Sequence, residues 1–177
     1  PLVIGPQGTV LVEPRSTAVL PAQLAALTSE QVSDLAVDLR QQQVAILSPG
    51  NHLRSGPPSG PWVDLEVHGE VAEPQVEQDG TVWVRGRTPQ SPTFQRCDDA
   101  GRCSVVGVTG LPGDLVSFRV APDRSRMALL VDTDEGIRLG VMRIDYAGTR
   151  ASLSGWRVIP LSAATAGAPG DLRQVRW

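Results

Sequence analysis

The sequence predicts an all-β chain folded as a partial β-propeller, with antiparallel meander sheets (blades) of about four strands in an incomplete ring. Three observations point there. Pro112-Gly113-Asp114-Leu115-Val116-Ser117-Phe118-Arg119-Val120 recurs without a gap as Pro169-Gly170-Asp171-Leu172-Arg173-Gln174-Val175-Arg176-Trp177. Residues 35–47 overlie residues 118–130 with their apolar positions coinciding, and residues 74–84 form a shorter relative of the same pattern. Matching positions at Leu35, Pro74, Phe118 and Val175 give intervals of 39, 44 and 57 residues, close to the roughly 40 to 50 of propeller blades, with one longer loop. Each unit is physically the same: a few alternating residues, a polar turn with Asp, Gly or Pro, then a more apolar run suited to a buried strand.

Taken in order, residues 1–31 are read as the outer strands of a preceding blade, with a hairpin of Val3-Ile4 and Thr9-Val10-Leu11-Val12 around Gly5-Pro6-Gln7-Gly8. Residues 21–27 suit either a short helix with Pro21 in its first turn or a loop. One blade is assigned to 32–70, a second to 71–110 and a third to 111–168, with 169–177 opening a further one. Residues 49–61, rich in Pro, Gly and Ser, read as a loop, as do 88–92. In the third and clearest blade the outer strands are Ile137-Arg138-Leu139-Gly140-Val141-Met142-Arg143-Ile144, after the Thr133-Asp134-Glu135-Gly136 turn, and residues 154–161. Opening at Pro1 and stopping at Trp177 in mid-pattern, the chain reads as a segment of a longer protein. Its ring is expected not to close, leaving two sheet edges for another chain or irregular segments to cap.

Composition sets outer bounds on function. With 177 residues, 41% of them apolar and 20% charged, the chain can bury one real core, which excludes disorder as the main state. The longest clean apolar run, Met127-Ala128-Leu129-Leu130-Val131, suits a strand, and no run nears the roughly 18 residues of a membrane-crossing helix. All 16 basic residues are Arg, scattered singly in a chain of net charge −3. Counterion-release binding has little to work with, and no nucleic-acid partner is expected.

Cys97 and Cys103 bracket Asp98-Asp99-Ala100-Gly101-Arg102, good hairpin-tip residues. Two Cys facing across a tight hairpin can form a disulfide. It would contribute about 2.4 kcal/mol in the chain-entropy model and would favour an oxidising, extracytoplasmic setting. The plain alternative is two unpaired buried thiols. Zinc is disfavoured because His52 and His68, the two imidazoles, lie far upstream and off finger spacing.

Other chemistry is weighed in the same way. Neither imidazole has a nucleophile elbow nearby, and Gly-x-Ser-x-Gly does not occur. Asp132-Thr133-Asp134-Glu135-Gly136 has the acidity of a calcium loop, but its Gly comes one position early and the distal Glu is missing, so a solvated hairpin turn is the expectation. Glu66, Glu70, Glu73 and Glu77 read as a solvated acidic face. Trp62, Trp83 and Phe94 can make an exposed aromatic contact patch, although Trp83 fits blade core better. No catalytic residue, cofactor or metal ligand is assigned, and the binding residues stay open.

The Ala121-Pro122-Asp123 turn, between an aromatic-containing strand and Arg126-Met127-Ala128-Leu129-Leu130, resembles the Ser-Pro-Asp-Gly turn of TolB-like and WD40-like propellers. With Val32-Ser33-Asp34-Leu35-Ala36-Val37, the lysine-free composition and the closing residues 170–177, the chain more narrowly resembles the propeller region of the actinobacterial lipoprotein LpqB family, best over 32–177. It departs from the family where Leu39-Arg40-Gln41 and Asp123-Arg124 replace the frequent Asp-Gly. The resemblance implies a non-enzymatic protein outside the cytoplasmic membrane, held there by a lipid anchor beyond this segment. It also implies association with the extracytoplasmic domain of a sensor histidine kinase, in a two-component system of the MtrA–MtrB type. The rival from another class is a propeller that holds a small peptide or glycan in its central channel, or one that accompanies a hydrolase. Polar side chains converging at one channel mouth would favour that rival.

Overall fold

The computed structural model describes residues 2–4, 10–12, 32–38 and 42–160, apart from 78, 89, 92 and 149. The described residues form strands, turns and loops, with no helix. The alternative readings of 21–27 and the repeat at 169–177 lie outside them. Near the N-terminus β1 (Leu2–Ile4) pairs antiparallel with β2 (Val10–Val12).

Three larger sheets follow in chain order. The first is the meander β3 (Asp34–Asp38), β4 (Gln43–Ser48), β5 (His52–Gly56) and β6 (Val63–Asp64). The second is β7 (Val71–Val76), β8 (Val82–Gly86), β9 (Phe94–Cys97) and β10 (Cys103–Val105). The third runs β12 (Asp114–Val120), β13 (Arg126–Thr133), β14 (Gly136–Ala147) and β15 (Arg150–Val158). The first strands of the three sheets, β3, β7 and β12, lie side by side, with β7 touching both others. This is the blade arrangement of a partial propeller. Leu35 stands opposite Ile46 and Phe118 opposite Leu129, so residues superposed by the repeat hold equivalent places in their hairpins.

Two expectations are corrected. Residues 49–61 are not all loop, because 52–56 form β5. Flanking Pro and Gly mask a real alternation in which Leu53 and Ser55 turn inward. The third sheet has five strands, not four: β11 (Gly107–Val108), in the crossover from the second sheet, pairs parallel with the edge strand β15. The crossover from the first sheet does the same on a smaller scale, through a parallel bridge between Glu66 and Arg102 beside β10. Each departing chain is thus stitched to the outer edge of the next sheet, a connection that strand alternation does not encode.

Apolar alternation builds the core between the sheets. One face of β8 and β9 sends Val82, Val84 and Cys97 toward Ala45, Leu47 and Leu53 of the first sheet. The other face sends Trp83 and Phe94 toward Phe118, Met127, Leu129 and Met142 of the third. Phe94 and Phe118 meet edge to face with ring centroids 5.1 Å apart, a favoured aromatic geometry. Pro74, which cannot donate to a ladder, sits in β7 where the register shifts between Ala72 and Gln75, and Glu73 there has φ of 50°.

Candidate functional site

The inner strands meet through polar side chains. Asp34 of β3 accepts from the Glu73 amide at 2.9 Å, and Glu73 Oε1 accepts from the Ser117 hydroxyl of β12 at 2.9 Å. Arg85 of β8 closes on Glu73 Oε2 at 2.7 Å. Burial pushes the Asp34 carboxyl above its ordinary range, and the Leu35 and Glu73 amides oppose this only in part. Buried Gln75 donates to the Phe118 carbonyl and accepts from the Val120 amide at 3.1 Å. In this way it serves as one rung of a ladder between sheets that no backbone pairing joins.

Where the β7–β8 and β12–β13 turns come together, a pocket of about 240 Å³ is lined by Asp38, Gln75, Glu77, Arg119 and Arg124 among others. Glu77 is 5% exposed and lies 3.4 Å from both Arg96 and Arg124, while the Tyr146 hydroxyl donates to it at 3.0 Å. Arg124 also reaches Asp79 at 2.7 Å, and the Arg96 and Arg124 guanidiniums lie over the Tyr146 ring. Burial first, and then the Glu77 charge, push the Tyr146 phenol up to about 12. Burial opposes ionisation of Asp79, but the Thr81 hydroxyl and amide, with Arg124 and Arg96, outweigh it and hold that carboxyl below its ordinary range. The arrangement is a charge-balanced clasp between the second and third sheets.

A second clasp lies at the outer edge. Cys97 stands opposite Cys103 in the β9–β10 register, and their sulfurs are joined. Inside the closed turn Asp98 accepts from the amides of Ala100 and Arg102. The Gly101 carbonyl accepts from the Glu66 amide at 2.8 Å, and Gly101 has φ of +88° where an added Cβ would meet the Asp64 carbonyl oxygen. Gln95, wholly buried, brackets His68 by donating to its carbonyl at 2.8 Å and accepting from its amide at 2.7 Å. Asn51 does the same for Gly69 and Val71, each at 2.8 Å. Three side-chain amides thus hold the junctions between consecutive sheets, at positions where no motif marks them in advance.

Other expected site residues fall differently. His52 and His68 are both exposed and His68 is engaged through its backbone. The acidic run divides: Glu66 and Glu70 are solvated, whereas Glu73 and Glu77 are consumed by Arg85, Arg96 and Arg124, a correction to the solvated face. The aromatic patch is also corrected, because Trp83 and Phe94 are fully buried and Trp62 is half-buried, donating to the Pro57 carbonyl under Arg54. The Asp132–Gly136 segment is a hairpin turn closed by Thr133 Oγ1 on the Gly136 carbonyl at 2.8 Å. Among the described residues no group of three or more candidate ligands could hold a metal. Conversely, Arg126, Arg143, Arg150 and Arg157 are exposed on β13, β14 and β15, with Arg126 opposite Arg143.

This fold of polar-seamed sheets defines a β-propeller scaffold. Residues 9–168 match the family described as the lipoprotein LpqB beta-propeller domain, and the chain belongs to that family. It is similar to the lipoprotein LpqB of Streptomyces coelicolor (strain ATCC BAA-471 / A3(2) / M145), with 30% identity over 96 residues. That match covers 54% of this chain and 16% of the relative, so the chain corresponds to a small part of the longer protein. Kuenenia stuttgartiensis hydrazine synthase superposes with a TM-score of 0.51 at 16% identity, over 71% of this chain and 36% of that one, a likeness of fold alone.

Proposed function

We propose that this chain is the non-enzymatic propeller scaffold of an extracytoplasmic lipoprotein, lipid-anchored to the cell membrane through a segment outside it. Its role is to bind the extracytoplasmic domain of a sensor histidine kinase of the MtrA–MtrB type and bias its signalling state. The observation that carries the reading is the family match over 9–168. The joined Cys97 and Cys103 support the compartment, because disulfides persist under oxidising conditions. A binding role needs only surface. An interface of ordinary size can prefer one sensor state by a few kcal/mol, enough to move a two-state equilibrium, and confinement of both proteins to one membrane lets a weak interface suffice. The direct test is association of the anchored full-length lipoprotein with the full-length sensor kinase in one bilayer, read by fluorescence energy transfer. Transfer above that to an unrelated membrane protein is expected; transfer equal to that control would overturn the reading.

One observation favours a second reading. Asp38, Gln75, Glu77, Arg119 and Arg124 converge on the 240 Å³ pocket beside the inner strands, the pattern expected of a propeller that holds a small polar ligand such as a peptide or glycan. Screening short peptides and oligosaccharides by calorimetry separates the two. A ligand whose binding is lost in Arg119→Ala would move the assignment to the channel.

A further inference from the structure

We propose that a crevice between the first and second sheets binds a free α-amino acid with an apolar side chain. The crevice has a volume of about 430 Å³, within the range of small-molecule sites. It lies where β3 and β7 begin, whereas Asp38, Gln75 and Glu77 line the 240 Å³ pocket where those strands end. The two sheets that wall it pack on each other through Leu47, Leu53, Val71 and Val84, and completion of the ring adds no sheet between them.

Glu70 and Arg87 continue the β7–β8 register one step beyond Val71 and Gly86, and the Arg87 amide donates to the Glu70 carbonyl at 2.9 Å. Residues opposed in this way have Cβ atoms about 5 Å apart, close enough for opposite charges to attract. Yet neither side chain makes a salt bridge or hydrogen bond among the described residues. Both residues are exposed and both line the crevice. The wall that carries them is held in advance: Asn51, from the β4–β5 turn, donates to the Gly69 carbonyl and accepts from the Val71 amide, each at 2.8 Å. Such preorganisation lowers the cost of binding. Leu47, Pro49 and Val71 supply an apolar side, with Leu47 and Val71 buried.

An acid and a base set side by side and left open match a ligand that carries both charges close together. The α-carboxylate of an amino acid fits the planar guanidinium fork of Arg87, and its α-ammonium fits the Glu70 carboxylate. Hydrogen bonds between ionised groups are the strong ones. They orient the head group, and the side chain then lies on Leu47, Pro49 and Val71. Other classes fit less well. A phosphate drawn to Arg87 would be repelled by Glu70, and a simple cation drawn to Glu70 would be repelled by Arg87. The lining holds no aromatic ring on which a sugar could stack.

The test is calorimetric titration of the full-length lipoprotein with leucine, valine and methionine. The amino acid that binds tightest is then compared with its N-acetyl form, which lacks the ammonium, and its amide, which lacks the carboxylate. Each capped form is expected to bind roughly tenfold or more weakly than the free amino acid, and the free amino acid to lose as much in Arg87→Gln and in Glu70→Gln. In Glu70→Gln the N-acetyl cap is expected to weaken binding little further, because the ammonium it removes has already lost its partner. No binding by any of the three, capped forms that bind as well as the free amino acid, or binding that both substitutions leave unchanged would each overturn the proposal. So would binding lost in Arg119→Ala but kept in Arg87→Gln, which would place the ligand in the 240 Å³ pocket. Both new substitutions are at exposed positions and are expected to leave thermal unfolding unchanged; if either variant fails to fold, the capped forms decide the outcome on the unsubstituted protein. The sensor-kinase reading stands or falls separately, on the energy-transfer measurement.

Discussion

Gln95 buries both ends of its amide on one backbone residue, His68, and Gln75 spans Phe118 and Val120. Removing either side chain strands backbone groups in a buried place, at about 1–3 kcal/mol. Gln95→Ala and Gln75→Ala are each expected to lose that much in urea unfolding, without change in m-value. Titration gives a second residue-scale prediction. The Asp34 carboxyl is raised mainly by burial, so the folded chain binds its proton more tightly than the unfolded chain. Its contribution is most favourable below the ordinary carboxylate range, near pH 4, and is lost as pH rises through the folded value. Asp79, held low because its bonds to Thr81 and the Arg124 and Arg96 charges outweigh burial, has the opposite sign: its stabilisation is present above about pH 4 and is lost as pH falls through the folded value. Relative to wild type, Asp34→Asn should gain stability as pH rises above about 4, whereas Asp79→Asn should be the less stable above about pH 4 and converge on wild type as pH falls below it. For Asp34→Asn a curve parallel to wild type above about pH 4, and for Asp79→Asn a curve parallel to wild type below about pH 4, would contradict the respective assignment.

At the scale of elements, the β9–β10 hairpin ties the chain leaving the first sheet to the edge of the second, through Gly101 on Glu66 and Gln95 on His68. The disulfide closes that hairpin. Replacing Cys97 and Cys103 by Ser should cost about 2 kcal/mol. Full alkylation of both thiols under non-reducing, denaturing conditions would show the bond to be absent. Gly101→Ala should destabilise independently, because an added Cβ would meet the Asp64 carbonyl oxygen at 2.4 Å and φ is positive. An unchanged melting temperature would contradict the packing. The hairpin was legible in the sequence because Asp and Gly between two Cys mark a tip, and the inner hairpins were legible because apolar alternation repeats there. Strand β5 was not, since Pro and Gly crowd both its ends, nor was β11, whose two residues gain their order from β15 rather than from their own pattern.

Over the whole molecule, the seams between sheets are where sequence reading reaches least. Glu77 looks solvated in a row of Glu at regular spacing, and only the meeting of two sheets brings Arg96, Arg124 and Tyr146 around it. Arg126 and Arg143 stand opposite each other for the same reason: residues far apart in sequence become neighbours once register pairs their strands. The family, in contrast, is the one that short local features resemble: the Ala121-Pro122-Asp123 turn points to propellers in general, and residues 32–37, the lysine-free composition and residues 170–177 to the narrower family. The proposed role is to bias a membrane sensor by binding, with no chemistry of its own. Autophosphorylation of the full-length sensor kinase in proteoliposomes, with and without the anchored full-length lipoprotein, tests this most directly. The account predicts a change in phosphorylation that depends on lipoprotein density; phosphorylation indifferent to the lipoprotein at every density would contradict it.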